Sequence, residues 1–484
     1  MRCIIFVFFL FFALTSYAQQ AYDLQFKVDG WRDTTAYLAN YYSESTYIRD
    51  TAKVNSKGEF HFDGKKPLDR GVYMLVLKNS KIFEFVVGQQ QFFRLETNAS
   101  DFIGNMKVIG DPDNKLFFEN WKRTIERHKE AEPFIKILQD STLTEDQKKE
   151  AREGYSKIND KVQADHKELI AKNPKFITTV LLKSGIDVVA PAPPKKPNGT
   201  IDSSFQLKWY REHYFDNFDL ADDALVRMPR PIYSEKIGQY LDNLFIQQAD
   251  TLTKAIDWVV AKAKPNKETY KFAVFTLLRK YQEPTIMGLD AVYVNIYDKY
   301  IKSGEMDFWM GAAHKKNVAD YAERLRKSLI GKIAPNLTMQ DENLKPRSMY
   351  SIKNKYTILY IYDPDCGHCR KETPKLVSFY KKDKLKFDIE VFGVCIDSSL
   401  VKMKKYMKEM DMTWINVNGM RSYVGDYRDF YDAITTPSLF IIDSKTKKII
   451  GKKIAAEDLE TFFTNYEKFI KAHPPEKSGT SKGS

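Results

Sequence analysis

The pattern of apolar and polar positions changes character twice along the 484 residues. From residue 20 to 111 it is made of short runs with broken alternation: Asp23–Val28, Thr35–Tyr42, Tyr47–Val54, Glu59–Asp63, Val72–Lys78, Ile82–Val87 and Phe92–Thr97. Asp-Gly, Ser-Lys-Gly and Gly-Gln turns separate several of them, and this spacing predicts a β-sandwich. At Asp113-Asn114 the period becomes helical. Leu116–Leu138, with a break expected at Pro133, Glu145–Lys172 and Phe176–Ser184 are predicted helices. The Pro-rich stretch 188–200 (VVAPAPPKKPNGT) can hold no helix. Helical spacing resumes at Ser203–Asn217, Ser234–Lys264, Lys267–Gln282, Asp290–Ser303 and His314–Leu329, so that 113–330 reads as an α-helical domain. Its aromatic residues Trp209, Tyr210, Tyr214 and Phe218 could line a ligand groove and are expected instead to pack in a core.

From 332 to 472 strands and helices alternate. Two short strands lead into the strand Tyr356–Tyr362, a helix from Gly367, the strand Phe387–Ile396 and the helix Leu400–Met410. A short strand Trp414–Val417 and a partly helical Arg421–Ala433 follow. The strands Ser438–Asp443 and Lys448–Ile454 and the helix Glu457–Ala472 finish the unit. Helices between strands that can lie parallel define an α/β domain. The polar tail 474–484 is expected to be disordered. The chain is therefore expected to be a multidomain α+β protein.

The most informative stretch is Tyr356–Pro374 (YTILYIYDPDCGHCRKETP). An apolar, aromatic strand is broken by Asp363-Pro364-Asp365, and Cys366-Gly367-His368-Cys369 then opens a helix. Free amides and the helix dipole stabilise an anion at such a position, so the Cys366 thiol can ionise near neutral pH. Cys369, three residues on, can reach back and close a Cys366–Cys369 disulfide. Half of a structural zinc site is the other reading of a CxxC. Zinc takes four ligands, and the sequence holds no second CxxC and no HxxxH, so no metal is expected. His61, His128, His166, His213 and His314 are scattered without ligand spacing.

Residues Tyr356–Ile470 resemble a thioredoxin domain, in particular the envelope TlpA/ResA-like thiol-disulfide oxidoreductases. The Gly-His dipeptide between the cysteines is that of protein disulfide isomerase. Glu372 and Pro374 complete a CxxCxxExP pattern like that of ResA-like proteins, and Thr436-Pro437 resembles the cis-proline loop that faces the CxxC in this fold. The resemblance implies a C-terminal α/β thioredoxin fold and no cofactor, since the cysteines carry the electrons. It implies protein disulfide or dithiol clients, an upstream redox partner, and the reductase direction rather than isomerase or oxidase. It also implies that Glu372 tunes the pair and can exchange a proton with the resolving thiol, and that Thr436 and Pro437 meet the substrate backbone. Thioredoxins usually carry a buried acid on the preceding strand; Tyr360 occupies that register here, which shifts weight onto Glu372. The β-domain resembles the domain of unknown function often fused to envelope thioredoxins.

Chemistry assigns the remaining roles. Cys366 is the candidate nucleophile, and Cys369 the resolving thiol that attacks the mixed disulfide. A protonated His368 would stabilise the Cys366 thiolate, whereas Asp365 would oppose its ionisation. Cys395, inside an apolar strand, reads as a buried, inert thiol, and Trp414 as core. A peroxiredoxin-like peroxidase would need a Thr three residues before the reactive cysteine, where Asp363 stands. A binding or scaffolding role, with the thioredoxin-like part accessory, is the alternative from another class.

Composition adds location. Met1–Ala18 has a basic residue, Arg2, a twelve-residue apolar core and a Ser16-Tyr17-Ala18 cleavage pattern, as a secretory signal peptide does. Export to the periplasm or cell envelope is expected, with no stable membrane span after cleavage. Three cysteines beyond Cys3 are too few for a disulfide-stapled scaffold. A net charge of +12 raises nucleic-acid binding, but no recognisable motif accompanies it and export argues against it.

Overall fold

The computed structural model describes residues 20–77 and 80–473. The segment read as a signal peptide and the tail 474–484 lie outside the described residues. The chain forms two compact units. One runs to Leu244 and takes in Val259–Ala273; the other comprises Phe245–Trp258 and the chain from Val274 onward.

In the first unit, two four-stranded sheets pack face to face. One has the order Glu59–Gly64, Tyr22–Asp29, Phe92–Asn98, Lys107–Ile109, and the other Ser45–Lys53, Thr35–Tyr42, Gly71–Leu77, Ser80–Val87. Tyr22–Asp29 buries alternate residues, as a strand with one core face must. Between the sheets Phe26 stacks on Phe60 at 5.2 Å and meets Phe85 of the opposite sheet edge-on at 5.5 Å. The three-residue strand Lys107–Ile109 pairs with Phe92–Asn98 and was not expected from the pattern.

The helix Pro112–Gln139 begins where Asp111 accepts the Asp113 and Asn114 amides, with Pro112 in the first turn. It is not broken at Pro133, contrary to expectation. Pro133 is exposed, so water can satisfy the carbonyl that its missing amide leaves free. Lys149–Lys172, Ile177–Ser184 and Phe205–His213 follow, and 188–200 holds no helix. The span Ser234–Lys264, expected as one helix, is two: Ile232–Leu244 and Ala249–Ala263. Phe218 is buried, but Trp209, Tyr210 and Tyr214 are half-exposed. Trp209 stacks along its own helix on His213 at 4.4 Å instead of entering a core.

The second unit is built on a seven-stranded sheet. Its order is Pro346–Ser348, Thr338–Asp341, Ile415–Ser422, Ile389–Cys395, Tyr356–Tyr362, Ser438–Asp443, Ile449–Lys452. Tyr356–Tyr362, Ile389–Cys395 and Ile415–Ser422 run parallel, and the remaining pairings are antiparallel. All seven residues of Tyr356–Tyr362 are buried because both faces of this central strand are covered. Tyr356, Ile358, Tyr360 and Tyr362 join one core with Leu376, Phe379, Met403, Tyr406 and Phe463 of the flanking helices. Leu359 and Ile361 point into the opposite core with Leu337, Val417 and Tyr431.

Helices Asp290–Ile296 and Ala312–Lys327 belong to this unit as well. Lys452, at the end of the last strand, forms a buried ion pair with Asp290 and donates to the Ser328 carbonyl at 3.0 Å. The unit thus includes residues that the sequence pattern assigns to the central helical domain.

Candidate active site

The strand Tyr356–Tyr362 delivers the chain to a tight turn. The Asp365 amide donates to Asp363 Oδ1 at 2.9 Å and the Cys366 amide to the Asp363 carbonyl at 3.2 Å. Cys366 occupies the N-cap of the helix Gly367–Phe387 in extended conformation, and the helix continues through Pro374. The sulfur of Cys366 therefore sits among the free amides of the first helical turn.

The two thiols have opposite environments. Cys366 is partly exposed, and its S–H donates to the Thr436 carbonyl at 3.3 Å. Partial burial works to raise its pKa, but the Cys369 and His368 amides, among other hydrogen bonds, outweigh it and hold the thiol below its ordinary value. Cys369 is fully buried, and burial pushes its thiol up to about 12, with the Asp363 amide donating to its sulfur at 3.4 Å as a partial offset. Both are free thiols in the structure. The Thr436-Pro437 peptide is cis, and the Thr436 carbonyl lies against Cys366.

The other sequence-predicted residues fall around this pair. His368 is exposed, and its backbone amide is among the groups that lower the Cys366 pKa. Glu372 is half-buried. One carboxylate oxygen pairs with Lys375 at 2.8 Å and the other accepts the Ala456 amide at 3.4 Å. The Lys375 hydrogen bond, first among its surroundings, holds the Glu372 carboxyl below the usual range. Tyr360 is buried beneath the helix, and its hydroxyl bonds Thr373 at 2.8 Å, which in turn bonds the Tyr406 hydroxyl at 2.8 Å. Cys395 is fully buried and its thiol is pushed up to about 12 by burial. Trp414 is buried edge-on to Tyr380.

Sequence reasoning missed Lys402. Its ammonium bonds Asp365 at 2.6 Å and Asp397 at 3.0 Å, so the acid beside Cys366 has a cation against it, shared with a second carboxylate. It also missed the Thr373–Tyr406 link beneath Cys369. Neither carries a local signal, because the partners meet only when separate helices pack on the sheet.

A dithiol at a helix N-terminus, facing a cis-proline loop beside the central strand of a mixed sheet, is the arrangement of a thioredoxin-fold redox site. Residues 330–450 match the model of the AhpC/TSA family, residues 144–327 a domain of unknown function, DUF5106, and residues 22–117 another, DUF4369. The chain is 29% identical over 140 residues to a thiol-disulfide oxidoreductase ResA of Bacillus cereus, covering 28% of this chain and 78% of that protein. It is 28% identical over 149 residues to ResA of Bacillus subtilis, covering 31% of this chain and 79% of that protein. A solved domain of a possible thiol-disulfide isomerase from Cytophaga hutchinsonii is 38% identical, covering 30% of this chain and 97% of that one, with a TM-score of 0.28. The C-terminal domain is thioredoxin-like and similar to the ResA-type thiol-disulfide oxidoreductases, and two domains of unknown function precede it.

Proposed function

We propose that the protein is an exported thiol-disulfide oxidoreductase that exchanges its Cys366–Cys369 pair with protein clients, in the reductase direction. The observation that carries the reading is the asymmetry of the two thiols: Cys366 is accessible with a lowered pKa, and Cys369 is buried with a raised one. A nucleophile must be ionised and reachable, while a resolving thiol must wait until a mixed disulfide brings a sulfur to it.

The Cys366 thiolate attacks one sulfur of a client disulfide. A Cys366–client disulfide forms, the client S–S bond breaks, and one client thiolate leaves. Cys369 then loses its proton and attacks the Cys366 sulfur, forming the Cys366–Cys369 disulfide and releasing the second client thiolate. The two protons of the original dithiol end on the client thiols, and two electrons have passed to the client. Return to the dithiol needs an upstream dithiol donor.

In this reading Thr436 and Pro437 present backbone groups to the client, His368 favours the Cys366 thiolate, and Glu372 tunes the pair. The reductase direction rests on the resemblance to the TlpA/ResA class, and export on the pattern of Met1–Ala18. Among the described residues no helix is long and apolar enough to cross a membrane.

The reading is tested by turbidimetric reduction of insulin with dithiothreitol as donor. Wild type accelerates precipitation, while Cys366→Ser does not. Acceleration undiminished in Cys366→Ser would overturn it.

A further inference from the structure

A groove of about 500 Å³ opens beside the thiol pair, within the second compact unit. Thr435 and Pro437 line it, the two neighbours of Thr436, whose carbonyl receives the Cys366 S–H. Tyr360, Leu439 and Ala456, all buried, contribute its floor, and Glu372 lies along it. Its lining is not made by the thioredoxin-like domain alone. Glu283 and Pro284, in the loop after the helix Lys267–Lys280, and Tyr321, on the helix Ala312–Lys327, contribute to it. A client whose disulfide lies on Cys366 has its chain against the 435–437 loop, so the segment flanking its cysteine is led toward this groove. The volume falls in the range of known ligand sites and suits a few side chains of an extended peptide.

The charge of the groove selects among such peptides. Its lining carries three carboxylates, Glu283, Glu372 and Asp432, against one ammonium, Lys453. Lys453 is ion-paired with Asp432 at 2.7 Å and Glu372 is held by Lys375 at 2.8 Å. Glu283 is exposed and has no ion-pair partner among the described residues. A cationic client side chain would meet an unpaired carboxylate, whereas an anionic one would meet like charge with no free cation to receive it.

Resting on the exchange reading above, we infer that this groove binds an extended client segment carrying Lys or Arg near its disulfide-bonded cysteine, and that Glu283, from outside the thioredoxin-like domain, determines this specificity. The reacting atoms are untouched by it. Glu283 acts on which client is held.

The test uses the reduced full-length chain and two synthetic peptide disulfides that differ only in bearing Lys or Glu on both sides of the cysteine. Wild type should react with the Lys peptide about fivefold faster in second-order rate constant at low ionic strength, with the ratio falling toward one at high salt, as an exposed charge contact requires. Glu283→Gln should lower the ratio and Glu283→Lys should abolish or reverse it. Because the readout is a ratio within each variant, a general loss of activity does not mimic the effect. Equal wild-type rates on the two peptides, or a ratio unchanged in Glu283→Lys, would overturn the inference alone, provided wild type reduces a small aromatic disulfide. Failure of wild type on that small disulfide too would overturn the exchange reading and this inference with it.

Discussion

The Lys402 ammonium lies 2.6 Å from the carboxylate of Asp365, the residue immediately before the candidate nucleophile. Asp365 alone would oppose ionisation of Cys366, and the ion pair cancels much of that opposition. Lys402→Gln should therefore raise the Cys366 pKa and slow its alkylation at neutral pH. The pair is exposed and screened, so the slowing should stay below about tenfold and shrink with added salt. Stopped-flow reaction with iodoacetamide checks it.

The pH profiles of the two thiols should separate widely. Alkylation follows the thiolate, so the Cys366 rate should reach half its plateau below the ordinary thiol value of 9.0, while the Cys369 rate should still be rising toward about 12. Stability should follow the same sign. Cys369 stays protonated in the folded dithiol up to about 12, whereas an unfolded thiol ionises near 9.0. Its contribution is thus complete below about 9.0 and is lost as pH rises toward 12. Denaturant titration of wild type against Cys369→Ala across that window measures it.

His368 can act through its ring or through its amide, and two substitutions separate them. His368→Pro removes both the imidazole and the N–H that helps lower the Cys366 pKa, and Pro is tolerated in a first helical turn. It should raise the Cys366 pKa and make the pair more reducing. His368→Ala keeps the amide. A shift in the Pro variant alone assigns the effect to the backbone, and an equal shift in both assigns it to the ring. Equilibration with glutathione gives the potential.

The buried pair Lys452–Asp290 should behave as a paired internal charge. Asp290→Ala leaves the Lys452 ammonium with only the Ser328 carbonyl, and should cost about 3–5 kcal/mol of stability. Replacing both, by Asp290→Leu with Lys452→Met, should recover most of that loss, because no buried charge is then left unpaired. Urea denaturation of the three proteins distinguishes the cases.

Local pattern made much of this legible. Thr35–Tyr42, Tyr356–Tyr362 and Ser438–Asp443 are strands with the ends the pattern predicts, since β-favouring runs there meet turn residues or polar breaks. Cys366, Cys369 and the Thr436-Pro437 loop stand out because their chemistry is written in short motifs. Lys107–Ile109 is too short to show a period, and its pairing comes from a neighbouring strand. The interruption between Leu244 and Ala249 carries no Gly or Pro to announce it. Lys402 at Asp365, Asp290 at Lys452 and Glu283 in the groove are contacts across long separations in sequence, set by packing rather than by any local signal.

The most direct test of the account is the identity of the sulfur that a client disulfide captures. Full-length Cys369→Ala, reduced and mixed with a peptide disulfide, should accumulate a stable mixed disulfide that peptide mapping places on Cys366. Cys366→Ser, treated alike at neutral pH, should form little or none, because the Cys369 thiol is buried and its pKa is pushed up to about 12. Adduct forming on Cys369 in Cys366→Ser as fast as on Cys366 in the first variant would contradict the assignment of nucleophile and resolving thiol.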